Sequence, residues 1–244
     1  MNRNILLLLV TLLAFSWSSC NNDTDDDMKP ALTTVNFIFV NEIDMQPIAA
    51  GSVNNYNASG NQYSVTLLKY YISNITFRKS DGTIYRAPNY ELVTEGEPAS
   101  QVFSMTVPTA DYAGFGFFMG VDSAFNFAGP LTGELDPVYG MLWDWSTGYI
   151  YFKHEGEFID STGVVQPIVY HYGNIAGLVK REFISQVALT GTTKTITIGF
   201  DLNKLYEAPN MVDFNGNNLQ SGAPGWVQTL KENFPLAFYI KNIQ

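Results

Sequence analysis

Short runs in which apolar and polar residues alternate with a period of two limit what this chain can become. In residues 194–200, Thr195, Thr197 and Gly199 oppose Ile196, Ile198 and Phe200, and in residues 35–40 Val35, Phe37 and Phe39 share one side. That spacing places the apolar set on one face of a pleated strand. Residues 63–77 are rich in Val, Ile, Thr and Tyr, which suit the same surface. Ser80-Asp81-Gly82-Thr83 then offers an Asp-Gly turn ahead of Ile84-Tyr85, a hairpin signal. Further strands are expected at residues 101–107, 112–121, 148–155, 166–172, 184–189 and 236–240, whereas helical patterns are confined to 202–206 and 225–232. No repeat and no Pro/Ser/Gly linker divides residues 31–244. The expected fold is all-β: a single β-sandwich-like domain over residues 33–244, with long ordered loops and one or two short helices. A hydrophobic fraction of 46% over 244 residues supplies the core that such a body needs.

The N-terminus reads as an address. Arg3 precedes an apolar run over residues 5–13 that is too short to span a bilayer, as in a secretory signal over residues 1–19. Ser18 and Ser19 lead into Cys20, the only cysteine, in the manner of a bacterial lipobox. Cys20 is therefore the expected lipidation site, and its acyl chains are the expected link to a membrane. Residues 20–32 form a tether carrying Asp23, Asp25, Asp26 and Asp27, whose like charges keep it extended. It reads equally as a spacer or as a signal for surface export. The expected location is the outer membrane or cell surface. From Pro30 onward eleven Lys and Arg stand against nineteen Asp and Glu, a net charge of −8. Such a body is not a nucleic-acid partner, which needs clustered positive charge. One cysteine excludes an internal disulfide framework, and two histidines exclude a three-histidine metal centre.

Two stretches look unlike ordinary strand or turn, residues 120–137 and 140–150. The first holds Asp122, Asn126, Glu134 and Asp136, hard oxygen donors that suit calcium or, alternatively, the capping of turns that orders the loop. Asp213-Phe214-Asn215-Gly216-Asn217-Asn218 resembles the start of a calcium loop but lacks the sixth-position Gly and the closing Glu. The second holds Trp143 and Trp145, which share a face if the segment is extended, either as core or as part of a site. Nothing marks an enzyme. There is no Gly-x-Ser-x-Gly elbow, no phosphate loop and no cysteine left for a nucleophile.

The order Tyr70-Tyr71-Ile72-Ser73-Asn74-Ile75, Gly120-Val121-Asp122-Ser123, Leu135-Asp136-Pro137, residues 140–150 and Tyr170-His171-Tyr172-Gly173 resembles the MbnP-like proteins. These are secreted or lipid-anchored β-proteins associated with methanobactin and copper handling. The resemblance implies copper(I) held by histidines, with help from a tryptophan that can be oxidised to kynurenine. His171 corresponds to the second family histidine, Trp143 and Trp145 to the tryptophan pair, and Asn41 stands where family members often carry an early histidine. His154, on the face of Ile150 and Phe152, is the other imidazole that copper(I) would accept, with thioether help from Met45 or Met141.

Two functions follow as expectations. One is a lipid-anchored, non-enzymatic protein that captures copper(I) or delivers it to a copper-handling partner. The other is a metal-free surface lipoprotein that binds a glycan or a partner protein through its aromatic loops.

Overall fold

In the computed structural model, which describes residues 30–128, 131–144 and 146–244, the first alternating run is a long strand, β1 (Leu32–Ile43). Val35, Phe37 and Phe39 in it are fully buried. Short pieces follow at β2 (Gln46–Pro47), β3 (Asn55–Tyr56) and β4 (Gln62–Tyr63), then the long β5 (Leu67–Arg78). The Asp81-Gly82 turn leads into β6 (Ile84–Thr94), after which come β7 (Val102–Pro108), β8 (Ala110–Tyr112) and β9 (Gly114–Met119). A loop holding the single turn α1 (Ser123–Asn126) connects to β10 (Leu142–Asp144), β11 (Gly148–Ile159) and β12 (Val165–Gly173). The rest comprises β13 (Val179–Phe183), β14 (Val187–Leu189), β15 (Thr193–Asp201), α2 (Leu202–Glu207), β16 (Leu219–Ser221), α3 (Pro224–Ala237) and β17 (Phe238–Ile243).

Two sheets form the sandwich. The smaller runs β17-β15-β1, with β7 on the free side of β1 and β2 at its end. β1 and β15 are parallel, which sets Phe37 beside Ile196 and Phe39 beside Ile198, so both alternating runs turn the same face inward. The larger sheet runs β13-β9-β5-β11-β12-β16, with β6 along the other edge of β5. One edge of β5 is shared, residues 67–70 pairing with β11 and residues 72–78 with β9. The aromatic residues fill the space between the sheets. Phe37 lies 6.2 Å from both Phe77 and Phe115, while Phe200 lies 4.9 Å from Tyr70 and 4.7 Å from Phe238. α3 closes the core by burying Trp226, Val227, Leu230, Phe234 and Ala237, the spacing of one helical face.

The sandwich answers the expected fold, but several boundaries move. Residues 236–240 are not one strand: Leu236 and Ala237 end α3, and β17 begins at Phe238. Pro235 lies inside the final turn, where it removes the N–H that would bond the Lys231 carbonyl, and burial of Phe234 and Ala237 offsets that loss. Residues 184–189 are likewise interrupted, with Ile184 91% exposed between β13 and β14. Most of β6 carries no period-two signal and contains Pro88, which its position on the sheet edge allows. Among the described residues no helix is long and apolar enough to cross a membrane. The signal segment, Cys20 and the acidic residues of the tether lie outside the described residues.

Candidate functional site

His154 and His171 stand on neighbouring strands, β11 and β12. The register sets Tyr170 opposite His154, and His171 opposite Lys153. Adjacent residues on a strand point to opposite faces, so the two imidazoles leave the sheet on opposite sides. His154 faces inward and is fully buried among Tyr63, Tyr170 and Tyr206. Its Nδ1 is 2.7 Å from the Tyr206 hydroxyl and its Nε2 3.2 Å from the Ser64 carbonyl. The carbonyl accepts only, so Nε2 carries the proton and Nδ1 accepts from the tyrosine. Burial pushes the His154 pKa down to about 4, keeping the ring neutral.

His171 faces outward, with 19% of its side chain exposed, and its Nε2 lies 2.8 Å from Glu155 Oε1. Its Nδ1 makes no hydrogen bond among the described residues. Lys153, directly opposite on the same face, donates to the Gly140 carbonyl at 2.6 Å, and burial lowers its pKa. The face continues to β16, where Ser221 lies beside His171 and the Gly222 N–H donates to the His171 carbonyl at 3.0 Å.

Trp143 belongs to this same outer face. A Cβ built on Gly173, two residues beyond His171, would come within 2.9 Å of the Trp143 ring, and one on Gly222 within 3.2 Å. The benzo edge of the indole is thus wedged between two glycines that only a missing side chain admits. The remainder of Trp143 lines an open cleft of about 330 Å³ with Asp144, Thr147, Asn174 and Ser221. Asp144 Oδ1 accepts from the Ser146 and Thr147 N–H groups and the Ser146 hydroxyl, which holds its pKa down at about 2. Its Oδ2 takes no bond among the described residues. Trp145 lies outside the described residues.

These positions do not make a two-imidazole copper site. His154 has both ring nitrogens engaged and is separated from His171 by the thickness of the sheet. Asn41 is also internal, accepting from the Tyr70 hydroxyl at 2.7 Å and donating to Glu95 at 2.9 Å. Of the groups expected beside His171, Trp143 shares its face, whereas His154 and Asn41 do not. Met141 is fully buried in the core, and Met45 sits 63% exposed in the β1–β2 turn. Among the described residues no three His, Cys, Asp or Glu side chains converge as a metal site.

Of the loop side chains considered for calcium, Asp122, Asn126 and Asp136 are engaged locally. Asp122 caps α1 through Ala124 N–H and accepts from Tyr90 at 2.8 Å and Asn74 at 2.5 Å. Asn126 accepts from the Tyr149 N–H at 2.9 Å, and Asp136 from the Val138 N–H at 2.9 Å. These side chains order the loop by capping it, while the Glu134 carbonyl accepts from Tyr71. Asp213 accepts from Asn61 and Asn215 in a tight turn. Sequence reasoning missed Asn174, Ser221 and Gly222, which lie far from Trp143 along the chain. The Gly-Asn step after His171 and the Ser-Gly step at residues 221–222 were the only local signals.

The profile of the MbnP family matches residues 33–223. Among solved structures, MbnP from Methylosinus trichosporium is similar to this chain, with a TM-score of 0.54 and 14% identity, over 80% of this chain and 82% of that one. No curated protein matches.

Proposed function

The chain belongs to the MbnP family of methanobactin-associated proteins, and from that premise we propose that it is an exported, lipid-anchored, non-enzymatic protein that binds a glycan-like polar ligand at the Trp143 cleft without a metal. The observation that carries this reading is the wedging of Trp143 between Gly173 and Gly222 beside Asp144, Thr147, Asn174 and Ser221. A half-buried indole held rigid by backbone supplies an apolar platform at low entropic cost. The surrounding hydroxyl, amide and carboxylate groups supply directional hydrogen bonds, and Asp144 stays ionised down to about pH 2. A sugar presents both kinds of surface, C–H faces and hydroxyl edges. Acylation at Cys20 is read from the lipobox alone and holds the cleft at the membrane that the protein serves.

The test is calorimetric titration of an oligosaccharide panel against the full chain. Trp143→Ala is expected to weaken any ligand found by about thirtyfold, corresponding to about 2 kcal/mol. Copper(I) titration is the counter-measurement: one-to-one binding that His171→Ala abolishes would restore the metal-carrier reading and displace this one.

A further inference from the structure

Basic residues are scarce in this acidic body, yet three of them line one shallow pocket on the outer face of the large sheet. Arg78, Arg86 and Lys180 surround it, with Thr76 and Glu182. The β5–β6 register places Arg86 opposite Thr76 and Ile84 opposite Arg78, so the two guanidinium side chains are diagonal neighbours. Gly116 lies beside Thr76 and Gly114 beside Arg78 on the next strand, both buried, and Ile84, Phe115 and Phe183 complete the lining. Lys180 pairs with Glu182 at 2.8 Å, whereas Arg78 and Arg86 donate no side-chain hydrogen bond and form no ion pair among the described residues. Like charges on adjacent strands repel. Glu182, the one carboxylate in the lining, pairs with Lys180, and among the described residues no ion pair reaches Arg78 or Arg86.

The position of this pocket is the second observation. The Thr109 N–H donates to the Ala31 carbonyl at 2.7 Å, and four residues later the Ala113 N–H donates to the Arg78 carbonyl at 2.8 Å. The segment that joins the tether to β1 therefore enters at the end of the sandwich that carries Arg78.

The geometry points to a membrane-docking surface: Arg78, Arg86 and Lys180 engage the phosphate groups of anionic lipid headgroups and seat the tether end of the body on the bilayer. Guanidinium groups suit this because their planar N–H forks match phosphate oxygens. The rest of the body, being acidic, is repelled, so one face is selected and the Trp143 cleft keeps a fixed relation to the membrane. This inference rests on the reading of Cys20 as the anchor.

The experiment uses the full chain with Cys20→Ala, unacylated, sedimented with phosphatidylcholine vesicles with and without phosphatidylglycerol. Binding is expected only with phosphatidylglycerol, to weaken with salt, and to fall at least about tenfold in the Arg78→Glu, Arg86→Glu double variant. Lys204→Glu with Lys231→Glu changes the net charge equally elsewhere and is expected to retain most of the binding. Equal loss in both double variants, or no preference for phosphatidylglycerol, overturns the docking surface. So does displacement by inorganic phosphate at constant ionic strength, which would mark a free-anion site. Circular dichroism verifies that each variant is folded. The intact mass of the chain isolated from its membrane reports acylation separately. An acylated native chain whose unacylated form ignores phosphatidylglycerol removes the docking surface alone. A native chain without acyl groups whose body still prefers phosphatidylglycerol removes the anchor alone.

Discussion

At the scale of single residues, His154 is a buried neutral base whose cost appears only in acid. Its folded pKa of about 4 lies below the 6.5 of an exposed imidazole. Between those values the unfolded chain binds the extra proton, so stability falls as pH drops from about 6.5 to about 4 and then levels. The full loss is about 3 kcal/mol. Glu91 acts with the opposite sign. Burial raises its pKa from 4.5 to about 7, so the stability linked to its protonated form is present below pH 4.5 and lost as pH rises through 7. The two windows, about pH 4 to 6.5 for His154 and 4.5 to 7 for Glu91, overlap with opposing slopes, so urea midpoints measured from pH 4 to 8 are expected to change little in the unaltered protein. Glu91→Gln should remove the opposing slope and uncover a fall in stability toward acid. A flat acid limb in that variant would contradict the neutral, buried state of His154. Separately, His154→Phe is expected to cost about 1–3 kcal/mol at pH 7, because the Tyr206 hydroxyl and the Ser64 carbonyl each lose a partner.

At the scale of elements, close approach of neighbouring backbones governs where the strands tolerate a side chain. Gly156 in β11 faces the irregular residues between β4 and β5, and a Cβ there would stand 2.1 Å from the Ser64 carbonyl oxygen. Ser64 is held in place by its N–H bond to the Glu157 carbonyl at 2.8 Å and cannot retreat cheaply. Gly156→Ala is therefore expected to destabilise by about 1–3 kcal/mol in urea unfolding, by overpacking rather than loss of a contact. A neutral result would mean that this crossing is looser than its geometry. The strands with the plainest alternation, β1 and β15, are central and one-sided, which is why their pattern survives in the sequence. β6 hides its identity because an edge strand bears Arg86 and Pro88 on a surface that no core demands. α3 runs past Pro235 because Phe234 and Ala237 bury themselves regardless of local propensity.

At the scale of the whole molecule, the two sheets meet through rings. Phe200 contacts Tyr70, Phe152, Phe234 and Phe238, which come from β5, β11, α3 and β17. Phe200→Ala should cost about 3–5 kcal/mol, with a lower urea midpoint and one cooperative transition, since the cavity would open where both sheets and the helix join. A second transition would show that the sheets unfold independently. The amino-acid order alone settled the all-β class and the inward faces of the main strands, and it placed both histidines on strands. These are local properties, carried by spacings of two. The side of the sheet on which each imidazole emerges was also implicit in that parity, once His154 and His171 were known to lie on paired strands. The pairing itself, and the meeting of Trp143 with Gly173 and Gly222, came from packing. They depend on register between segments tens of residues apart, and register is chosen by the burial of many side chains together, which no short stretch of chain encodes.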